Sequence, residues 1–232
     1  MKTYLIIGAS SGIGLQLANT LATEGHNVIG TFNSHPTENS NANIVYHALN
    51  VLDAEIDFSF LPEILDGVIY CPGSINLKPF GRIKADEFTA DFNLQVGGLI
   101  KILQASFVAL KKSANASVVV FSTVAVQIGM PFHSQVSSSK GAIEGLVKAL
   151  SAEWAPSIRV NCIAPSLTET PLAAQLLNTE EKKAAIAQRH PLKKIGTAAD
   201  IANMASFLLS EKASWITGQI LHVDGGMSTV KV

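Results

Sequence analysis

The sequence predicts an α/β fold, a single doubly wound domain with a parallel sheet of about seven strands and helices on both faces. Two observations support this prediction. Short apolar runs recur between helical patterns along the 232 residues, an alternation typical of parallel sheets. Several runs are apolar throughout, as expected for strands that are buried on both sides. The strand-like runs cover residues 4–7, 28–32, 44–47, 67–71, 118–121, 159–163 and 220–223.

The first strand leads directly into a glycine-rich turn. Residues 4–7 are followed by Gly8-Ala9-Ser10-Ser11-Gly12-Ile13-Gly14, where a helical spacing of apolar residues begins. A helix N-terminus presents unpaired N–H groups and a positive dipole end, so backbone alone can hold a pyrophosphate there if no side chain blocks it. The turn therefore indicates a dinucleotide site; the alternative is an ordinary strand-to-helix turn, since such patterns also occur by chance.

Three later helices are predicted over residues 86–112, 137–154 and 198–209, the last opened by a capping box of Thr197 and Asp200. A polar segment over about residues 167–196 has helical periodicity at 178–188 and a basic stretch after it. We interpret this segment as a lid over the substrate; the alternative is a solvated helical excursion. No linker divides the chain, which predicts one domain over residues 1–232.

Composition restricts the class of partner. The chain has 17 Lys plus Arg against 18 Asp plus Glu, which favours a small-molecule substrate and argues against nucleic acid or a membrane surface. No apolar run approaches membrane-spanning length. Apolar residues make up 47% and charged residues 15%, so we expect a large core and a homo-oligomer. Cys71 and Cys162 lie in strand-like runs, which is typical of free thiols in a reducing compartment and predicts a cytoplasmic protein with no disulfide or metal site.

Together these features resemble the short-chain dehydrogenase/reductase family from residue 4 to about residue 228, which implies a Rossmann-type domain that binds NAD(P). The glycine turn has that family's spacing. Gly73 resembles the last residue of the family's Asn-Asn-Ala-Gly motif, although Tyr70-Cys71-Pro72 before it depart from the motif. Segment 159–165 resembles the one that leads to the nicotinamide, with Ser166 in place of the usual glycine. Asp224-Gly225-Gly226 resembles the C-terminal signature, and the family's dimers and tetramers imply a homotetramer or homodimer.

The resemblance also assigns residues to the cofactor and to catalysis. The cofactor-binding residues that it implies, together with the turn, are Gly8, Ser10, Ser11, Gly12, Ile13, Gly14, Gly73, Lys140, Pro165 and Thr170. Lys140, Asn93 and Thr123 match the positions of the catalytic lysine, the relay asparagine and the catalytic serine. The alternatives are a solvated or ribose-holding lysine, a structural asparagine and a strand-end hydroxyl bonded to backbone.

One departure affects the chemistry more than the others. Val136 occupies the position of the family's catalytic tyrosine, four residues before Lys140, and the three tyrosines of the chain lie elsewhere. Valine cannot transfer a proton, whereas the family's phenol does so with its anion stabilised by the lysine. Thr123, Ser137 and Ser138 are weaker acids, and His133 and Ser134 are further candidates from the loop before the helix.

The residues after the second strand bear on the choice of nucleotide. Residues 31–35 contain no carboxylate, the first being Glu38, and a carboxylate there commonly accepts the ribose hydroxyls of NAD. Its absence, with Asn33 as an amide donor, favours NADP over the alternative, NAD. Asn50 takes the place of the aspartate that usually meets the adenine; the alternative for Asn50 is a turn residue.

Two functions remain open at this point. The first is an NAD(P)-dependent oxidoreductase that acts on a carbonyl or alcohol of a small molecule with an altered proton donor. The second is a catalytically impaired dinucleotide-binding protein that acts as a sensor or scaffold. Both require the dinucleotide site, but only the enzyme requires a reactive pocket beside the nicotinamide.

Overall fold

The computed structural model describes residues 1–36 and 41–231, so Glu38 lies outside the described residues. Its main sheet has seven strands, all parallel, in the order β3-β2-β1-β4-β5-β6-β9. The strands of this sheet are β1 (Thr3–Ile7), β2 (Asn27–Phe32), β3 (Ile44–Ala48), β4 (Gly67–Tyr70), β5 (Ala116–Phe121), β6 (Ile158–Pro165) and β9 (Ile220–Val223). The predicted parallel sheet is confirmed, with strand ends that differ from the predicted runs by a few residues.

Strand order reverses beside the first strand. β1 lies between β2 and β4, which pair with it through Leu5↔Ile29 and Leu5↔Val68. The connection after β1 leads to β2 on one side of β1, and the connection after β3 leads to β4 on the other side. A crevice therefore opens at the carboxyl ends of β1 and β4. The glycine turn follows β1 at that end of the sheet.

Helices cover both faces of the sheet. They are α1 (Gly12–Thr23), α2 (Ala85–Phe92), α3 (Gly98–Lys111), α4 (Ala125–Ile128), α5 (Ser134–Trp154), α6 (Glu180–Arg189) and α7 (Ala198–Leu209). One core cluster includes Ile102 of α3 and Ile143 of α5. A second includes Leu17 of α1 and Leu208 of α7. The doubly wound class is therefore confirmed.

The predicted helix over residues 86–112 is divided by a π-helical segment, Asn93–Gly97, between α2 and α3. The hydroxyl of Tyr70 donates a 2.5 Å hydrogen bond to the carbonyl oxygen of Leu94 within this segment. Gly98 makes room for that contact, because a Cβ built there would lie 2.3 Å from the Tyr70 hydroxyl oxygen. A π turn adds a residue to one turn of the helix, which changes the face on which the neighbouring side chains lie.

The sequence predicted no run of membrane-spanning length, and the structure corrects that expectation. The stretch Ala85–Lys111 has 27 residues and is apolar enough, by length and composition, to cross a membrane. Leu99, Ile102 and Leu110 of this stretch are fully buried against the sheet. The stretch is therefore placed as a core helix of the domain.

The polar segment over residues 167–196 is an ordered excursion. Its ends are joined by a short parallel pair, β7 (Thr168–Glu169) and β8 (Gly196–Thr197). Between them lie a 3₁₀ helix, Pro171–Leu176, and α6, where the sequence predicted helical periodicity. The excursion lies over the carboxyl ends of the strands; its opening and closing as a lid stay a prediction.

Candidate active site

A cleft of about 670 Å³ opens at the carboxyl ends of β1, β4, β5 and β6. The glycine turn forms one wall, α5 another, and the excursion over residues 167–196 covers it. Most of the predicted site residues line this one cleft. Those that do are Gly8, Ser10, Ser11, Gly12, Ile13, Gly14, Asn33, Gly73, Thr123, Lys140, Pro165 and Thr170.

The backbone of the glycine turn requires glycine at three positions. Gly8 and Gly12 have φ values of +77° and +55°, which side chains disfavour. A Cβ built on Gly14 would lie 2.2 Å from the carbonyl oxygen of Gly8. The N–H of Ala9 donates to the Thr31 carbonyl oxygen at 2.8 Å, which ties the turn to β2. The turn is therefore held in one conformation by neighbouring backbone.

The N-terminus of α1 fits the diphosphate of a dinucleotide. The helix begins at Gly12, and the side chain of its N-cap, Ser11, makes no capping hydrogen bond within the described part of the chain. Gly12, Ile13 and Gly14 line the cleft, and the two glycines carry no side chain there. Unpaired N–H groups at a helix start bind phosphate oxygens, so these residues suit the predicted cofactor.

The two asparagines predicted to meet the adenosine half lie in different settings. Asn33 is exposed at the end of β2 and lines the cleft. Asn50 does not line it, and its contact with the adenine stays a prediction. Its amide nitrogen donates to the carboxylate of Asp53 at 2.7 Å and its amide oxygen accepts from the N–H of Leu52 at 3.1 Å. Asn50 therefore stabilises the turn after β3, as in the alternative interpretation.

Lys140 reaches from α5 to the end of β5. Its Nζ donates a 2.9 Å hydrogen bond to the carbonyl oxygen of Phe121. A Cβ built on Gly73 would lie 3.7 Å from the same Nζ, so Gly73 leaves the ammonium accessible from the cleft. Burial lowers the pKa of Lys140 to about 8, while the negative charge of Asp91 opposes that shift. The amine therefore changes charge near neutral pH.

The tyrosine position holds an aliphatic side chain that faces the cleft. Val136 is buried, lines the cleft and lies one helical turn before Lys140 on the same face of α5. Thr123 is partly buried at the end of β5 and also lines the cleft. Its Oγ1 accepts a 3.3 Å hydrogen bond from the N–H of Ala125. The hydroxyl hydrogen of Thr123 remains to be donated, so this residue can still orient a carbonyl oxygen.

The other proposed substitutes for the phenol are less well placed, except for His133. Ser137 donates to the carbonyl oxygen of Ala125 at 3.4 Å, and Ser138 donates to that of Ser134 at 2.7 Å. Neither serine lines the cleft. His133 does line it, with Nδ1 at 2.8 Å from the Pro131 carbonyl oxygen.

Gln95, two residues after Asn93, is a buried polar residue beside Gly73. The Asn93 side chain is exposed and does not line the cleft, and its role in the proton relay stays a prediction. Gln95 is fully buried, and a Cβ built on Gly73 would lie 3.6 Å from its Oε1. That oxygen has no hydrogen-bond partner among the described residues. Asn93 and Gln95 both belong to the π-helical segment, and neither lines the cleft.

A buried carboxylate supports Gln95. The amide nitrogen of Gln95 donates to both oxygens of Asp91 at 2.8 Å, and Ser139 of α5 donates to one of them at 2.6 Å. Ser74 also donates to Asp91. Sequence reasoning missed this group. The signal was present, since Asp91, Gln95 and Leu99 recur every four residues on the buried face.

A second pair that sequence reasoning missed lies in the opposite wall of the cleft. The Ser166 hydroxyl oxygen lies 2.8 Å from Nε2 of His190, whose side chain is fully buried. Both residues line the cleft. The sequence identified Ser166 as a departure from the family, but with a sequence separation of 24 there is no local signal that the two residues meet.

The chain is similar to known proteins over almost its whole length. Residues 8–228 match the family model described as enoyl-(acyl carrier protein) reductase. The chain is 30% identical over 241 residues to the 3-oxoacyl-[acyl-carrier-protein] reductase FabG of Escherichia coli, which covers 99% of this chain and 98% of that protein. A short-chain type dehydrogenase/reductase from Mycobacterium ulcerans is 28% identical with a TM-score of 0.84, covering 98% of this chain and 90% of that one. ElxO, solved with NADP bound, is 26% identical with a TM-score of 0.89, covering 99% and 100%.

Proposed function

The chain belongs to the short-chain dehydrogenase/reductase family, and on that premise we propose that it interconverts a carbonyl and an alcohol on a small molecule with NADP, using a proton donor other than tyrosine. Membership makes the chain an NAD(P)-dependent oxidoreductase. One observation supports the rest of the proposal: the glycine turn, Lys140 and Thr123 line a single cleft. A sensor or scaffold has no need of Lys140 and Thr123 in one pocket, so the enzyme is favoured over that alternative.

NADP is proposed over NAD because of the end of β2. Asn33, Ser34 and His35 are exposed there and carry no negative charge to repel a 2′-phosphate. ElxO, which this chain resembles over its full length, was solved with NADP bound. Both observations support the phosphorylated cofactor, and NAD remains the alternative.

Several groups that line the cleft have a proposed role. When bound, NADPH would supply the hydride for the carbonyl carbon. The first-turn N–H groups of α1 would hold the diphosphate, Pro165 and Thr170 would hold the nicotinamide, and Lys140 would hold the ribose. Thr123 donates to the carbonyl oxygen. Positioning of two reactants can supply about 7–11 kcal/mol, against roughly 3–5 kcal/mol from a proton donor, so turnover survives the loss of the phenol.

The substrate is proposed to have an apolar body. Many of the side chains that line the cleft are aliphatic or thioether groups: Ile75, Leu77, Leu94, Met130, Val136, Leu172, Leu176, Ile186 and Met227. Such a surface favours an acyl or other hydrocarbon chain next to the reacting carbonyl. FabG is named for 3-oxoacyl groups, which makes 3-oxoacyl thioesters the first substrates to test.

A homo-oligomer, tetramer or dimer, is also proposed. α3 and α5 carry apolar or small residues that face away from the core. Val108 is 65% exposed, and a Cβ built on Gly145 would meet no atom within 4 Å. These surfaces suit close helix packing against a second copy. The cytoplasmic location stays a prediction.

Calorimetry and a carbonyl panel test the proposed function. Titration with NADPH and with NADH is expected to give binding below roughly millimolar Kd, tighter for NADPH. NADPH oxidation is then followed with 3-oxoacyl thioesters, ketones and aldehydes. If neither NADPH nor NADH gives a heat of binding, the proposal is overturned. Binding without turnover across the panel would favour the sensor or scaffold.

A further inference from the structure

The pair formed by Ser166 and His190 has a fixed arrangement in the cleft wall. Nδ1 of His190 lies 2.9 Å from the carbonyl oxygen of Ile186 on α6, and Nε2 lies 2.8 Å from the Ser166 hydroxyl oxygen. His190 is 2% exposed, so both ring nitrogens are committed to protein partners. The ring can therefore exchange protons with the cleft only through Ser166.

The partners of the ring determine where its protons lie. A carbonyl oxygen only accepts, so Nδ1 of His190 carries a hydrogen in every charge state. In the neutral ring, Nε2 is then an acceptor and the Ser166 hydroxyl donates to it. The thioether sulfur of Met227, 3.1 Å from the same hydroxyl oxygen, is a weaker acceptor. In the protonated ring the direction reverses, and Nε2 donates to Ser166.

Ser166 is held close to the residues that surround the reaction. The preceding residue, Pro165, accepts a hydrogen bond at its carbonyl oxygen from the N–H of Val124 at 3.1 Å, next to Thr123. The hydroxyl of Thr168 donates to the Ser166 carbonyl oxygen at 2.9 Å. The hydroxyl of Ser166 is thus placed at the ends of β5 and β6, on the cleft that also contains Val136 and Lys140.

The other hydroxyls in this part of the cleft have different partners. Ser122 donates to the carboxylate of Glu144 at 2.5 Å, and Ser74 donates to Asp91. Thr170 donates to a backbone carbonyl at 3.4 Å. Of these hydroxyls, only that of Ser166 is hydrogen-bonded to an imidazole, a group that can both donate and accept a proton.

His190 also borders a second, smaller cavity of about 120 Å³ on its far side. The charged groups that line this cavity with it are Lys194, Asp200 and Asp224. Lys194 and Asp200 form a 3.3 Å ion pair, and Asp224 accepts from the N–H groups of Gly226 and Ser228. His190, Ser166 and Thr168 therefore border both the reaction cleft and this smaller cavity.

We propose that Ser166 is the proton donor that replaces the missing phenol. His190 positions the Ser166 hydroxyl and returns a proton to it. The inference rests on the proposed function. In reduction, the carbonyl carbon gains a hydride from NADPH, the oxygen takes the proton of Ser166, and Ser166 takes the Nε2 proton of the imidazolium. A water of the cleft then gives a proton to the Ser166 hydroxyl as that hydroxyl passes its own proton back to Nε2 of His190. Carbonyl, NADPH and one proton give alcohol and NADP⁺, and the reverse sequence serves oxidation.

The main test replaces Ser166 by the residue that the family usually has there. Ser166→Gly is expected to lower kcat for carbonyl reduction by about 10²–10⁴-fold while the Kd for NADPH and the melting temperature stay unchanged. Ser166→Thr keeps the hydroxyl and is expected to retain most of kcat. Ser138→Gly, on the exposed side of α5, is the matched control. An unchanged kcat in Ser166→Gly would overturn the inference and leave the proposed function standing.

Two further measurements separate proton donation from a structural role. Val136→Tyr is expected to raise kcat more in the Ser166→Gly background than in the wild type, because it restores a donor. Imidazole ¹⁵N NMR is expected to show Nε2 of neutral His190 without a proton and to show its signal move in Ser166→Gly, with His190→Gln for assignment. A proton on Nε2 of the neutral ring would contradict the inference. Wild-type protein that binds NADPH but reduces no carbonyl would overturn both the inference and the proposed function.

Discussion

Lys140 Nζ lies 2.9 Å from the carbonyl oxygen of Phe121, so the catalytic-type lysine is fixed to the last residue of a central strand. This contact holds the amine at the carboxyl edge of the sheet, opposite the glycine turn. The same burial that fixes it lowers its pKa to about 8. Position and charge of this side chain are therefore set by the same packing.

Turnover is expected to fall as pH rises through about 8. Below that pH Lys140 is an ammonium that donates to the ribose; above it the neutral amine loses that electrostatic role. A pH profile of kcat at saturating NADPH measures the effect. Lys140→Ala is expected to abolish turnover, and full activity in that variant would remove the residue from the proposed mechanism.

Lys140 is also expected to make stability depend on pH between about 8 and 10. Its pKa in the folded protein is about 8, below the value of about 10.4 in an unfolded chain. The unfolded chain therefore binds more protons in that window, so the contribution of Lys140 to stability rises with pH. Urea unfolding of the wild type and of Lys140→Met at pH 8 and pH 10 measures the difference. Parallel changes in the two proteins would contradict the expected pKa.

Val136→Tyr is expected to increase carbonyl reduction. The side chain faces the cleft one turn from Lys140, so a phenol there would gain the stabilising charge that the family uses. The gain cannot exceed the roughly 10²–10⁴-fold that a positioned acid supplies. Val136→Phe is the matched control for bulk, and an equal rate in the two variants would show that the hydroxyl contributes nothing.

Gln95 is expected to matter more for catalysis than Asn93. Gln95→Leu removes a buried amide whose oxygen lies beside Gly73, and kcat is expected to fall at least about tenfold with little change in the Kd for NADPH. Asn93→Ala changes an exposed side chain and is expected to alter kcat less than twofold. A larger loss of kcat in Asn93→Ala than in Gln95→Leu would support the assignment of Asn93 to the proton relay.

Gly14→Ala is expected to disrupt cofactor binding. The added methyl group would meet the Gly8 carbonyl oxygen at 2.2 Å, and backbone must move to relieve that contact. We expect the Kd for NADPH to rise at least about tenfold by calorimetry, because the first-turn N–H groups then lose their alignment. Gly81→Ala, where a Cβ would meet no atom within 4 Å, is the control. Equal affinity in both variants would argue against the turn as the diphosphate site.

The parts of the molecule that depend on local pattern were predictable from sequence. Apolar runs located the strands, and Gly8 to Gly14 located the turn because its glycines follow a strand and open a helix. The fixed spacing between Thr123 and Lys140 placed both residues in the cleft. In each of these cases, the residues that form the pattern lie within about twenty positions of one another in the sequence.

Sequence was least informative where tertiary contacts decide the outcome. The Tyr70 hydroxyl and the Leu94 carbonyl, which are distant in sequence, meet in the π-helical segment that contains Asn93 and Gln95. Asn50 matched a family position but formed a hydrogen-bonded turn with its own neighbours. Periodicity and motif spacing assume regular helices and carry no information about such contacts.

The cleft takes its walls from residues as far apart as Gly8 and Met227. During synthesis, β1 and α1 emerge before the residues of the opposite wall. A nascent chain therefore acquires its nucleotide pocket only when β6, the excursion and the segment after β9 have been made, and ligand-assisted folding can act only after that point.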